Sequence, residues 1–86
     1  MTKFEKTINR LLQGTSDANI DFNDIRGLLI QLDFKERIKG SHHIFWKDNI
    51  TEILNFQPKG SKAKPYQVKQ VRNVILKYKL GELRNE

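Results

Sequence analysis

Cysteine is absent from this chain, which removes disulfides, thiol nucleophiles and the common zinc sites together. Proline occurs only twice, and neither copy interrupts a helical repeat, so Pro58 and Pro65 read as boundaries. No apolar run reaches the roughly 20 residues that a membrane-spanning helix needs, and the first residues lack the apolar core of a signal peptide. The expectation is a cytoplasmic protein without a membrane partner. Carboxylates are missing from the whole interval between Glu52 and Glu82, where Lys59, Lys62, Lys64, Lys69, Arg72, Lys77 and Lys79 fall. A solvated helix face and a phosphate-binding surface both fit that run. Histidine is nearly absent too: the chain has two, adjacent to one another at His42 and His43.

What is present fits one small domain. Eighty-six residues carrying a formal charge of +6 supply one modest core and favour an anionic partner, either nucleic acid or an acidic protein. Thr2 and Glu5 have capping-box spacing ahead of an amphipathic helix over residues 2–13, with Phe4, Ile8, Leu11 and Leu12 on one face and Gly14 as its stop. Residues 15–19 have loop composition. Residues 1–19 therefore read as a helical extension packed on a main body of residues 20–86. A second helix is expected from Asn23 as N-cap, with Ile25, Leu28, Leu29 and Leu32 along its stripe.

After Phe34 the period shortens to two. Lys35, Arg37 and Lys39 alternate with Glu36 and Ile38, giving a strand with one basic face. Gly40-Ser41 turns the chain into a second strand over residues 42–47, and Asp48-Asn49 signals a hairpin into a third that ends at Pro58. Residues 59–64 (KGSKAK) read as a flexible basic loop. Pro65 then opens the longest helix, in which Val68, Val71, Ile75 and Tyr78 share a face up to about Leu80, with Gly81 as its stop. The expected class is α+β: two helices, a three-stranded antiparallel meander and a closing helix, both helical stripes packed on the sheet face that carries Phe45, Leu54 and Phe56.

The histidine strand is where chemistry is expected, because imidazoles titrate near neutral pH and Ile44, Phe45 and Trp46 favour a fixed, extended backbone. Alternation puts His42, Ile44 and Trp46 on one face and His43, Phe45 and Lys47 on the other. Burying Phe45 exposes His42 beside Trp46, an indole on which an unpaired base can stack; burying Ile44 and Trp46 does the reverse. Apolar content alone slightly favours the second register, and composition does not choose between them. A metal site is not expected, since neighbouring strand residues point apart.

Gly40-Ser41-His42, preceded by Leu32-Asp33-Phe34 and followed by Ile44-Phe45, resembles the HicA family of toxins, small ribonucleases of bacterial toxin-antitoxin pairs, over roughly residues 20–80. Val71, Val74 and Ile75 are similar to the family's closing helix. The resemblance implies a double-stranded-RNA-binding-like α-β-β-β-α fold, here with an extra N-terminal helix. It further implies that His42 is catalytic, with Gly40 and Ser41 shaping its approach, that mRNA is the substrate, that no cofactor is needed, and that a HicB-family antitoxin is the partner. It favours the register that exposes His42. The chain departs from the family pattern in three places: Asp33 stands where the family often has glycine, no histidine follows the third-strand proline at Lys59-Gly60, and residues 1–19 are additional.

Cleaving RNA without metal requires a group that takes the 2′-hydroxyl proton and positive charge on the phosphorane. His42 is the expected proton-transfer group, with Lys39, and secondarily Lys47, as charge support. Lys59, Lys62, Lys64, Lys69 and Arg72, together with Trp46, are the expected RNA contacts. A non-catalytic RNA-binding module of the same fold accounts for the charge and the tryptophan equally well.

Overall fold

The computed structural model describes residues 2–80. Their order is α1 (Lys3–Gln13), a 3-10 turn (Asp17–Asn19), α2 (Phe22–Gln31), β1 (Lys35–Lys39), β2 (His42–Trp46), β3 (Leu54–Phe56) and α3 (Pro65–Tyr78). The strands form one antiparallel sheet in the order β1-β2-β3. The expected α+β order, with an extra helix before an α-β-β-β-α arrangement, is the one observed.

Local chemistry explains where the elements begin and end. Thr2 caps α1 through a complete capping box with Glu5, so two of the helix's free amide groups are satisfied reciprocally. Gly14, at φ 71°, ends that helix in the left-handed region. The second helix starts two residues earlier than its spacing suggested, with Asp21 rather than Asn23 as N-cap, which lets Phe22 join the buried set. Its C-terminus is closed by Asp33 at φ 71°, with Asp33 N–H donating to Ile30 O (3.0 Å) and Phe34 N–H to Leu29 O (3.0 Å). That is a Schellman closure, and aspartate tolerates the left-handed position usually given to glycine.

The inner sheet face follows the expected pattern: Phe45, Leu54 and Phe56 are fully buried, and each contributes about 1.5–3 kcal/mol by leaving water. Val68, Val71 and Ile75 of α3 and Ile25, Leu28 and Leu29 of α2 complete the same cluster. Gln67, fully buried, donates to Gln57 O (2.9 Å) and accepts from Lys64 N–H (2.9 Å). Both ends of its amide are used, which joins the end of β3 to the start of α3.

Several expectations are corrected. The N-terminal helix is not an appendage: Phe4, Ile8 and Leu11 belong to the one buried cluster, whereas Leu12 is exposed. Leu12 sits about 100° round the helix from Leu11, at the edge of a stripe centred on Phe4, Ile8 and Leu11, and so reaches solvent. Asn49 does make a turn, at φ 72°, but pairing resumes only at Leu54, so the third strand is shorter than its alternation suggested. The intervening segment is drawn onto α3 instead, where Ile50 packs on the core and Glu52 accepts from Tyr78 Oη (2.6 Å) and Lys77 Nζ (3.0 Å). The basic loop is fastened rather than free: Lys59 and Lys62 exchange backbone hydrogen bonds, Phe22 N–H donates to Ser61 O, and Ala63 N–H donates to Ile20 O. Finally, α3 ends at Tyr78 with Lys79 in the left-handed conformation; the expected stop at Gly81 lies outside the described residues.

Candidate functional site

The site is built by a two-residue hairpin. Gly40 takes φ 62° and Ser41 does not go left-handed, which is the glycine-first turn whose twist matches antiparallel strands. It sets Lys39 opposite His42, Arg37 opposite Ile44 and Lys35 opposite Trp46. Residues directly across a pair share a face, with Cβ atoms about 4.5–5.5 Å apart. The face away from the buried Phe45 therefore carries three cations, His42, Ile44 and Trp46, joined by Asn55 of β3, which stands opposite Ile44. Of these strand residues none is acidic.

His42 is exposed on this face, as the register burying Phe45 requires. Its Nδ1 lies 3.0 Å from Asn55 Oδ1. An amide oxygen only accepts, so Nδ1 carries the hydrogen and the neutral ring keeps its lone pair on Nε2. Asn55 thus decides which nitrogen is free to take a proton. Periodicity did not reveal it; the signal was the pairing register, which places the middle residue of β3 diagonally across from His42.

His43 has a different task. It is four-fifths buried, with Nδ1 2.8 Å from Glu36 Oε2, the oxygen that also accepts from Arg26 Nε at 2.6 Å. Arg26 holds the Glu36 carboxyl below the usual range, burial opposes this, and His43 adds to the lowering. The ring of His43 meets Phe22 edge-on at 4.9 Å and stacks along Phe45 at 6.4 Å. It ties the hairpin to α2 on the inner side of the sheet.

The expected RNA contacts separate into two groups. Arg72 is committed internally: Nη1 donates to Leu11 O (3.1 Å) and to Asp17 Oδ1 (3.0 Å), while Nη2 donates to Asp17 Oδ2 (3.1 Å). Lys62 is held by Asp21 at 2.7 Å. Arg72 is largely covered and thereby turned away from phosphate, whereas Lys62 and Asp21 form their ion pair at the surface. Lys59 and Lys69 are exposed and Lys64 is half-buried at the start of α3; none of the three forms a salt bridge among the described residues. Arg37 and Lys39 are likewise exposed and unpaired there, and Lys35 has only the distant Asp48 at 4.0 Å. Lys47, next along from Trp46, sits past the end of β2.

Among the described residues no group of three or more His, Cys, Asp or Glu side chains is arranged to hold a metal ion, and no helix is long and apolar enough to cross a membrane. No protein family, curated protein or solved structure matches the chain. The arrangement itself offers a proton acceptor at Nε2 of an oriented imidazole, flanked by Lys39 and the rest of a cationic row, on a face open to a large substrate.

Proposed function

We propose that this chain is a metal-independent endoribonuclease that cleaves mRNA and arrests growth, the toxin of a toxin-antitoxin pair, as its resemblance to the HicA family implies. The observation that carries the reading is His42 on the open, cationic sheet face with its tautomer set by Asn55. In the proposed reaction Nε2 removes the proton of a ribose 2′-hydroxyl, and the 2′-oxygen attacks the adjacent phosphorus. Lys39, directly across from His42, offsets the charge that builds on the phosphorane. As the P–O5′ bond breaks, the 5′-oxygen takes a proton from solvent water and departs as an alcohol, leaving a 2′,3′-cyclic phosphate on the upstream fragment, and His42 returns its extra proton to solvent. Gly40 and Ser41 supply the turn that brings Lys39 and His42 level.

An acidic HicB-like antitoxin is the proposed natural inhibitor. Opposite charge accelerates its capture of the free toxin, and covering this face silences the enzyme by occlusion. The decisive experiment compares the wild type with His42→Gln on purified RNA in EDTA and, in parallel, on induction in growing cells. The expected result is loss of both cleavage and growth arrest, with a rate deficit of about 10²–10⁴-fold, while circular dichroism and RNA binding persist. Undiminished cleavage by the substituted protein overturns the assignment. RNA binding without cleavage by either protein makes the chain a non-catalytic RNA-binding module.

A further inference from the structure

The outer sheet face has more on it than a proton acceptor, and its layout specifies a form of RNA. Lys35, Arg37 and Lys39 succeed one another at alternate positions of β1, so they stand about 6–7 Å apart. That is close to the repeat of one nucleotide in a drawn-out single strand. Beside this row runs a second, in which Trp46 is level with Lys35 and His42 is level with Lys39. Four residue rises along β2 separate the indole from the imidazole, about 13 Å, or two such repeats. Trp46 is the single tryptophan of the chain and is half-buried in a face from which acidic strand residues are missing.

We infer that this face is a binding platform for unpaired RNA, with phosphates along Lys35, Arg37 and Lys39, and with a base stacked on Trp46 two nucleotides from the phosphate at His42. Duplex RNA fits it poorly. In a helix the base faces are already stacked on one another, leaving the indole nothing to cover. Off the sheet, Arg72, Lys62 and Lys77 are engaged with Asp17, Asp21 and Glu52 and Lys59, Lys64 and Lys69 lie on the loop and helix beyond β3, whereas Arg37 and Lys39, free of ion pairs among the described residues, share one strand face with the indole. The platform rests on the ribonuclease reading only for the role of His42 at one end of it.

Trp46 provides its own probe. The full-length His42→Gln protein, chosen so that the RNA is expected to stay whole during the measurement, is titrated with a short unstructured RNA and with the same RNA annealed to its complement, following both tryptophan emission and fluorescence anisotropy of a labelled RNA. The unpaired RNA is expected to quench the emission saturably, and the duplex to do so at least tenfold more weakly. Substituting Arg37→Ala should lower the slope of log affinity against log salt by about 0.7. Trp46→Phe should keep binding measurable by anisotropy, and Trp46→Ala should weaken it about tenfold. In the cleaving wild type, an abasic residue scanned along the RNA should be most damaging two nucleotides from the cut bond.

Equal or stronger quenching by duplex overturns the inference, as does RNA binding that leaves the emission unmoved. Quenching by polyglutamate but by neither RNA assigns the face to an acidic protein and overturns it as well. The two readings fail separately: saturable quenching by unpaired RNA with no cleavage by the wild type in EDTA removes the enzyme and keeps the platform, while cleavage without quenching removes the platform and keeps the enzyme.

Discussion

At the scale of single residues, Asn55 matters because an imidazole is useful only if the right nitrogen is free. Removing its amide oxygen lets His42 rotate and lets the hydrogen settle on either ring nitrogen. Asn55→Ala is therefore expected to lower kcat up to about 10²-fold with KM nearly unchanged, since substrate contacts elsewhere on the face stay in place; steady-state kinetics on a defined RNA checks the split. A second residue-scale prediction concerns acid. Glu52 is brought from its ordinary 4.5 down to about 2, first by the Tyr78 hydroxyl and then by Lys77. A depressed carboxylate stabilises the fold above its unfolded pKa and stops doing so as pH falls through its folded value. Tyr78→Phe should thus raise the Glu52 pKa in an NMR titration and flatten the loss of stability between about pH 4.5 and 2. For His42 the sequence showed which residues share its face, since strand alternation groups it with Ile44 and Trp46, but which of the two faces is open is decided by the burial of Phe45. Asn55 was not readable, because its role depends on which residue of β2 it meets, and that pairing is decided by a connection whose length the Asp48-Asn49 turn signal concealed.

Elements show the same division between what a local pattern reveals and what only contact reveals. Capping at Thr2, the helical stripes of α2 and α3 and the Gly40-Ser41 turn are encoded within a few residues, and all were readable. The partner of Arg72 lies 55 positions away in the chain, so its charge looked available when it is in fact the clamp that holds the end of α1 and the following turn to α3. Arg72→Ala is expected to cost about 2 kcal/mol in denaturant unfolding, from hydrogen bonds to a charged group that is largely covered, without altering the salt dependence of RNA binding. Lys39→Ala should do the opposite, leaving stability within about 0.5 kcal/mol and reducing the salt slope. The basic loop belongs with Arg72 here: it was read as mobile from its composition, yet its backbone hydrogen bonds and the Lys62 to Asp21 contact stitch it to the start of α2.

For the molecule as a whole, three helices on one side of a three-stranded sheet leave the opposite side to solvent, and that asymmetry turns a net charge of +6 into a directed surface. The N-terminal helix enters through the core rather than through the site, since Leu11 is fully buried. Its presence is a matter of stability, separate from the sheet face where RNA is proposed to lie. The idea on which the rest depends is that His42 uses the substrate's own 2′-hydroxyl to break the chain. An RNA oligonucleotide and a copy with deoxyribose at the cleaved position, each incubated with the purified protein in EDTA and analysed by mass spectrometry, test it directly. The RNA should yield a 2′,3′-cyclic phosphate and a 5′-hydroxyl while the deoxy copy stays intact; cutting of the deoxy copy, or fragments bearing a 5′-phosphate, would contradict it.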